Sequence, residues 1–245
     1  MKKRTLIFKT EDPARGQGYN AQGSRVLDYD TASYGWTLTG WTLTDAEQKT
    51  NFVEKAGGDG SWDLSTVLTD GHPRYKNRSL TATLECSEGT REDRLRLISQ
   101  MLNLLDGWNW EIILPDHPDH FLKGRIHVAV NQNSLAFAQV TVTATCEPWL
   151  YCSRETIVSL TTADDERKSA TLWNAGRRSL SPDITVTGKV SLGVLNDNGT
   201  QELEQITLEA GTYKWPTLFL PPGGRTITYS GHGSLTITYR EAGLR

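Results

Sequence analysis

Only three cysteines occur in the sequence, Cys86, Cys146 and Cys152. The odd number argues against a disulfide framework, and the spacing is not that of a metal site. Cys86 and Cys146 each end an alternating stretch on its apolar side, so they read as buried, inert thiols. Such thiols suit assembly in a reducing cytoplasm. Neither sign of charge is in surplus: 26 basic against 29 acidic residues leave a formal net charge of -3. The part up to Ser153 carries 16 basic and 19 acidic residues, and the remainder ten of each. A protein that grips phosphate backbones needs a basic excess, so nucleic acid is a poor direct ligand, although a local basic channel in an oligomer stays open. Long apolar runs are missing. Met1-Lys2-Lys3-Arg4 looks like the start of a signal peptide, but Thr10–Gly23 is polar where the apolar segment should follow. Neither an export signal nor a membrane span is expected. A nucleophile elbow is absent, and Gly57-Gly58-Asp59-Gly60 lacks the lysine and helix of a phosphate loop.

What the chain has is strand signal. With 245 residues and 37% hydrophobic content, it can form one large all-β unit or two domains. Leu6-Ile7-Phe8 reads as a short strand, followed by a polar loop to Gln22 and more strand signal over Arg25–Asp30. Gly35–Thr44 is β-branched and aromatic, either a strand or a hairpin about Gly40. Asp45–Thr50 reads as a loop tip. A glycine turn at Gly57–Gly60 then leads to a strand over Trp62–Leu68, and a second turn, Asp70-Gly71-His72-Pro73, leads to Tyr75-Lys76-Asn77-Arg78. From Arg78 to Cys86 apolar and polar residues alternate strictly, the mark of a half-buried strand.

Arg91–Leu105 is the one convincing helix. Thr90 serves as its N-cap with Asp93 completing a capping box, and Gly107 is placed to stop it. Leu95, Ile98, Leu102 and Leu105 form its apolar stripe, widened by Leu97, Met101 and Leu104, which suits a helix covering a sheet. A three-stranded meander follows: Trp108–Leu114, Phe121–Val130 with Leu122, Ile126, Val128 and Val130 inward, and Leu135–Cys146. The pattern breaks at Glu147-Pro148-Trp149. We therefore divide the chain into domains 1–150 and 151–245. In the second, Thr156–Leu160 reads as a strand and Thr161–Lys168 as a charged loop. Seven short strands then follow: Ala170–Trp173, Asp183–Thr187, Lys189–Leu195, Gln201–Leu208, Gly211–Leu220, Arg225–Tyr229 and Leu235–Tyr239. Asn196-Asp197-Asn198-Gly199 and Gly231-His232-Gly233 read as turns between them. Evenly spaced strands without helices suggest a β-sandwich of jelly-roll type.

Candidate site residues are few. Arg78 falls on the apolar side of its strand, and a guanidinium there needs a carboxylate or several carbonyls. Asp59 and Asp63 are the nearest carboxylates, which suggests a structural clasp of Asp59, Asp63 and Arg78 pinning the glycine turn. Asp116-His117-Pro118-Asp119-His120 mixes carboxylates and imidazoles that bind Zn²⁺ or Mn²⁺. Two prolines in a hairpin tip work against convergence, so it reads as a solvated turn rather than the centre of a metal hydrolase. Trp173, Trp215 and Tyr229 are candidates for stacking on a sugar ring, the core being the ordinary place for such aromatics. The sequons Asn77-Arg78-Ser79 and Asn198-Gly199-Thr200 carry no meaning without export. No cofactor, metal or catalytic residue is expected.

In their order and spacing, several features resemble the distal tail protein (Dit) family of long-tailed, non-contractile bacteriophages. They are Gly35-Trp36, the Gly57–Leu64 segment, Tyr75-Lys76-Asn77-Arg78, the Arg91–Leu105 helix with Gly107, the Leu114–Gly124 hairpin and Ala144-Thr145-Cys146-Glu147-Pro148. In the second half, Asn174-Ala175-Gly176, Pro182–Gly188 and Pro221-Pro222-Gly223-Gly224 are similar to the galectin-like or carbohydrate-binding-module-like sandwich of many members. The resemblance implies a mainly β, non-enzymatic protein of the virion, at the distal end of the tail. Its N-terminal β-sandwich or split-barrel domain would form a homo-hexameric ring, joining the tail tube protein to the tail-tip or baseplate hub. DNA would pass through the ring's channel without insertion into a membrane. The C-terminal sandwiches would project outward toward receptor-binding proteins or host-surface sugar. Hairpins around Thr37–Val53 and Leu114–Gly124 are the expected crossings to neighbours. The alternative is a carbohydrate-binding adhesin acting through the second domain.

Overall fold

The computed structural model describes residues 5–10, 28–67, 72–196, 202–215 and 217–244. Most of the polar loop to Gln22, the start of the Arg25–Asp30 strand, Asp70-Gly71, the sequon Asn198-Gly199-Thr200 and most of the turn at Asn196–Gly199 lie outside the described residues. The chain falls into two compact units, Met1–Trp149 and Leu150–Arg245.

In the first unit the strands are β1 (Ile7–Lys9), β2 (Asp28–Asp30), β3 (Thr37–Leu43), β4 (Phe52–Glu54), β5 (Ser61–Asp63) and β6 (Arg78–Cys86). Helix α1 (Arg91–Leu105) follows, then β7 (Asn109–Ile113), β8 (His120–Asn133) and β9 (Ala138–Cys146). The main sheet runs β2-β1-β7-β8-β9-β6-β3, antiparallel in each pairing. Alternation decides which face is buried: Leu80, Ala82, Leu84 and Cys86 of β6 lie inward, opposite Ala144, Val142, Val140 and Ala138 of β9 respectively. In β8, Leu122, Ile126 and Val128 are inward as expected, whereas Val130 is 47% exposed, beside a register shift between Val130 and Gln132. Gly124 holds an inward position because a Cβ there would stand 2.7 Å from the Cys146 Sγ. β3 is a single strand; Thr39 bulges between Leu38 and Gly40, so no hairpin forms there.

The helix has the expected bounds, and Thr90 and Asp93 form the capping box. Its buried face differs. Arg94, Ile98, Met101, Leu104 and Leu105 are buried, while Leu95 is 47% exposed. The buried face is turned by one residue because Arg94 goes inside, where backbone carbonyls solvate its guanidinium.

The second unit comprises β10 (Leu150–Cys152), β11 (Thr156–Leu172), β12 (Asp183–Leu195), β13 (Glu202–Leu208), β14 (Gly211–Lys214), β15 (Arg225–Tyr239) and β16 (Ala242–Gly243). Three of these are far longer than the short strands expected. Thr161–Lys168 is strand rather than loop, and Gly231-His232-Gly233 lies within β15 rather than in a turn. The reason is a crease. Gly188 pairs with Gly233 and Val190 with Gly231, while β11 shifts register between Asp164 and Lys168 opposite the same glycines. A Cβ on Gly233 would lie 1.9 Å from the Thr187 carbonyl oxygen, and one on Gly188 2.3 Å from that of His232. Gly188 and Gly231 also have positive φ, which glycine adopts without strain. On one side of the crease β12 pairs with β14, and on the other with β13. Side chains from both halves, Ile184, Val186 and Ile237 on one and Val190, Leu192 and Ile227 on the other, share one buried cluster. A single sheet thus folds over its own core. Signals that read as turns between strands mark where strands cross the crease.

Candidate assembly surface

Between β3 and β6 the chain makes an excursion that the expected loop tip at Asp45–Thr50 does not describe. The amide of Thr44 donates to Ser79, Lys49 to Arg74, Lys76 to Glu47 and Leu64 to Asn51. Gln48 and Tyr75 form a bridge, and β4 pairs with β5 beyond it. The β3–β6 hairpin therefore continues as a two-stranded arm over the described residues 44–67 and 72–77, turning at Gly57–Gly60. Gly57 and Gly60 have positive φ, and no neighbour lies within 4 Å of where their Cβ atoms would be; glycine here serves the turn and not a close approach. At the root, Tyr75 meets Trp149 edge-on with ring centroids 5.5 Å apart.

No described residue of the arm is buried. Phe52 (59% exposed), Val53, Trp62 (60%), Leu64 and Val67 (64%) all stand in solvent. Val53 and Trp62 are direct cross-strand partners, and the Lys55 Nζ lies 4.8 Å from the Trp62 ring centroid. The strand expected over Trp62–Leu68 is only Ser61–Asp63, and Leu68 lies outside the described residues. A two-stranded ribbon with no core is marginal alone in water, and clustered exposed apolar side chains mark a contact surface.

Arg78 sits at the arm's root, 4% exposed, and its Nε donates to the Thr44 carbonyl at 2.7 Å. The carbonyl option is therefore the one its Nε takes. Asp59 lies in the tip turn and Asp63 in β5, both exposed; the Asp63 carboxylate accepts the Ser65 amide at 2.9 Å. The Ser65 hydroxyl first, and then that amide bond, hold the Asp63 carboxyl below the usual range.

A second surface lies where α1 meets the β8–β9 turn. Arg94, 1% exposed, donates from Nη1 to the Gly89 carbonyl at 2.7 Å, and from Nη2 to those of Ser134 and Leu135, each at 2.9 Å. Ser134 braces the turn further, its hydroxyl accepting from the amides of Ala136 and Phe137. Leu135 at the apex is 88% exposed. Sequence reasoning missed Arg94 and Leu135: an arginine inside an apolar helical stripe reads as polar surface, and one leucine in a turn has no periodicity.

The other candidate residues do not assemble into one site. Residues 114–120 fold as two successive tight turns, the His117 amide donating to Leu114 and the His120 amide to His117. Among the described residues no group of three or more His, Cys, Asp or Glu is placed to hold a metal ion. Trp215 is a core residue and Tyr229 packs against that core, whereas Trp173 is 62% exposed. Trp173 directly follows the end of β11. Cys86 and Cys146 are buried, and burial pushes the Cys146 thiol up to about 12, a value that keeps it protonated and unreactive at neutral pH. No described helix is long and apolar enough to cross a membrane.

No family model matches the chain, and no curated protein does. Among solved structures it is similar to the Dit protein of phage SPP1, described as a paradigm of the hub adsorption apparatus in phages infecting Gram-positive bacteria. The TM-score is 0.63 at 17% identity, over 87% of this chain and 96% of that one. Fainter likenesses, at TM-scores of 0.45 and 0.43 and 8% identity, are to chains of the phage P2 baseplate in its activated conformation with Ca and with Sr. These cover 97% and 96% of this chain and 98% of each baseplate chain, and carry no weight below. The chain has a Dit-like fold, mainly β with one long helix among the described residues.

Proposed function

We propose that this protein is a structural component of a phage tail, a distal tail protein whose first unit forms a hexameric ring. The ring joins the tail tube to the tail-tip or baseplate hub and leaves a channel through which DNA passes. The observation that carries this reading is the two-stranded arm. It presents Phe52, Val53, Trp62, Leu64 and Val67 to solvent with no core of its own. Burying each such side chain is worth roughly 1.5–3 kcal/mol, enough for a neighbour to fix a ribbon that is marginal alone. The fold likeness to the SPP1 hub protein supports the same reading. A ring requires a heterologous contact, one surface of each copy meeting a different surface of the next, and an arm crossing to the neighbour is such a contact. The Leu114–Gly124 hairpin is a second proposed crossing. The second unit binds a receptor-binding protein or host-surface sugar, with DNA touching only the channel. The function is assembly, without catalysis or a cofactor.

Light scattering across a concentration series tests the ring. The expected mass rises to six copies. A mass that settles at any other closed number would refute the hexamer.

A further inference from the structure

The turn at the arm's tip carries chemistry that assembly does not use. We infer that Asp59-Gly60 is a modification site, where the native chain converts spontaneously from aspartate to isoaspartate through a cyclic imide. The Gly60 backbone nitrogen attacks the Asp59 side-chain carboxyl carbon. A C–N bond forms, and the carboxyl hydroxyl leaves with the amide proton as water. Water then adds back to the ring. Cleavage at the former side-chain carbonyl restores aspartate, and cleavage at the main-chain carbonyl leaves the nitrogen on the side-chain carbon, which is isoaspartate. The two steps together consume nothing.

The reaction needs a following residue without a Cβ to block the approach, a carboxyl free to turn, and an amide that is not held. Gly60 meets the first need, and no neighbour lies within 4 Å of where its Cβ would be. Asp59 and Gly60 are both exposed. Among the described residues the Asp59 carboxylate has no hydrogen bond or ion pair. Gly60 is tied only through its carbonyl, which accepts the Lys55 amide at 3.4 Å, and its own amide donates to nothing. The same dipeptide at Asp106-Gly107 is in the opposite state. The Asp106 carboxylate accepts the Val128 amide at 2.8 Å and lies 2.9 Å from the His127 Nδ1, while the Gly107 amide donates to the Ile126 carbonyl at 2.8 Å. Both reacting groups are held there, so attack requires local opening. Isomerisation at Asp59 puts an extra carbon into the main chain of the turn. Hairpin register depends on turn geometry, so the change loosens the pairing of Glu54 with Ser61 beside it.

The test holds the full chain at mildly acidic pH for weeks, native and in urea. After digestion, electron-transfer fragmentation places isoaspartate at single residues. In urea Asp59 and Asp106 should isomerise at similar rates. In the native protein Asp59 should keep most of its urea rate, and Asp106 should fall at least about tenfold behind it. Asp59→Asn, which expels ammonia instead of water, should convert faster still in the native chain. Protection of native Asp59 equal to that of Asp106, or an Asp59→Asn chain that keeps its amide, would overturn the inference and leave the ring untouched.

Discussion

The Nη2 of Arg94 donates to the Leu135 carbonyl at 2.9 Å, tying a buried helical residue to the most exposed large hydrophobic side chain among the described residues. Removing the guanidinium strands carbonyls that water reaches poorly. Arg94→Ala should cost about 2–4 kcal/mol, read as a fall in denaturation midpoint. Arg94→Lys should recover only part, because a lysine cannot fork to three carbonyls. Hydrogen exchange at Ala136 and Phe137 should speed up in both variants.

The helix cap gives a pH-dependent outcome. Hydrogen bonds from the Thr90 side chain and backbone hold the Asp93 carboxyl below its ordinary 3.8. A lowered carboxyl stabilises the fold above the unfolded value, and that contribution is lost as pH falls through the folded one. Thr90→Ala should lower stability at neutral pH by about 1 kcal/mol, with the difference from the parent shrinking in acid. Urea midpoints between pH 7 and pH 2 check this.

The cysteines should react in order of exposure. Iodoacetamide on the native protein at pH 8 should label Cys152, which is half-buried, and spare Cys86 and Cys146. Because burial raises the Cys146 thiol from 9.0 to about 12, its stabilising share is complete below pH 9 and is lost as pH rises toward 12. Mass spectrometry after digestion reads the labelling. Rapid native labelling of Cys146 would mean that the β6–β9 core opens.

At the crease, Gly233→Ala places a Cβ 1.9 Å from the Thr187 carbonyl oxygen, a backbone atom that cannot swing aside. The variant should lose about 3 kcal/mol or more in the second unit. Gly40→Ala, with nothing within 4 Å of its Cβ, should be nearly neutral. Thermal unfolding of the two variants separates them.

Much of this fold is legible in the residues. Strict alternation from Arg78 to Cys86 places β6 and its buried face, and Thr90, Asp93 and Gly107 bound α1. What is not legible has physical reasons. Gly231-His232-Gly233 looks alike as a turn or as a crease, since both need backbone without a Cβ; only the opposed Gly188 decides. Residues 47–49 and 74–76 pair through backbone bonds and the Lys76–Glu47 ion pair at 2.7 Å, so no alternation of apolar side chains marks the arm. The buried face of α1 turns on Arg94, whose burial depends on carbonyls some 40 residues away. Arg78 reads inward from parity, yet its Nε partner, the Thr44 carbonyl, belongs to the arm's other strand.

The arm itself is the central claim. Replacing residues 46–77 by an Asn-Gly turn joining Asp45 to Arg78 keeps the β3–β6 register, in which Leu43 faces Leu80, and removes the exposed apolar ribbon. Electron micrographs of the intact protein and of its tail-tip assembly should show six-fold rings. The shortened chain, with its circular dichroism unchanged, should show none. Rings of consistently different symmetry, or six-fold rings that persist without the arm, would contradict the account.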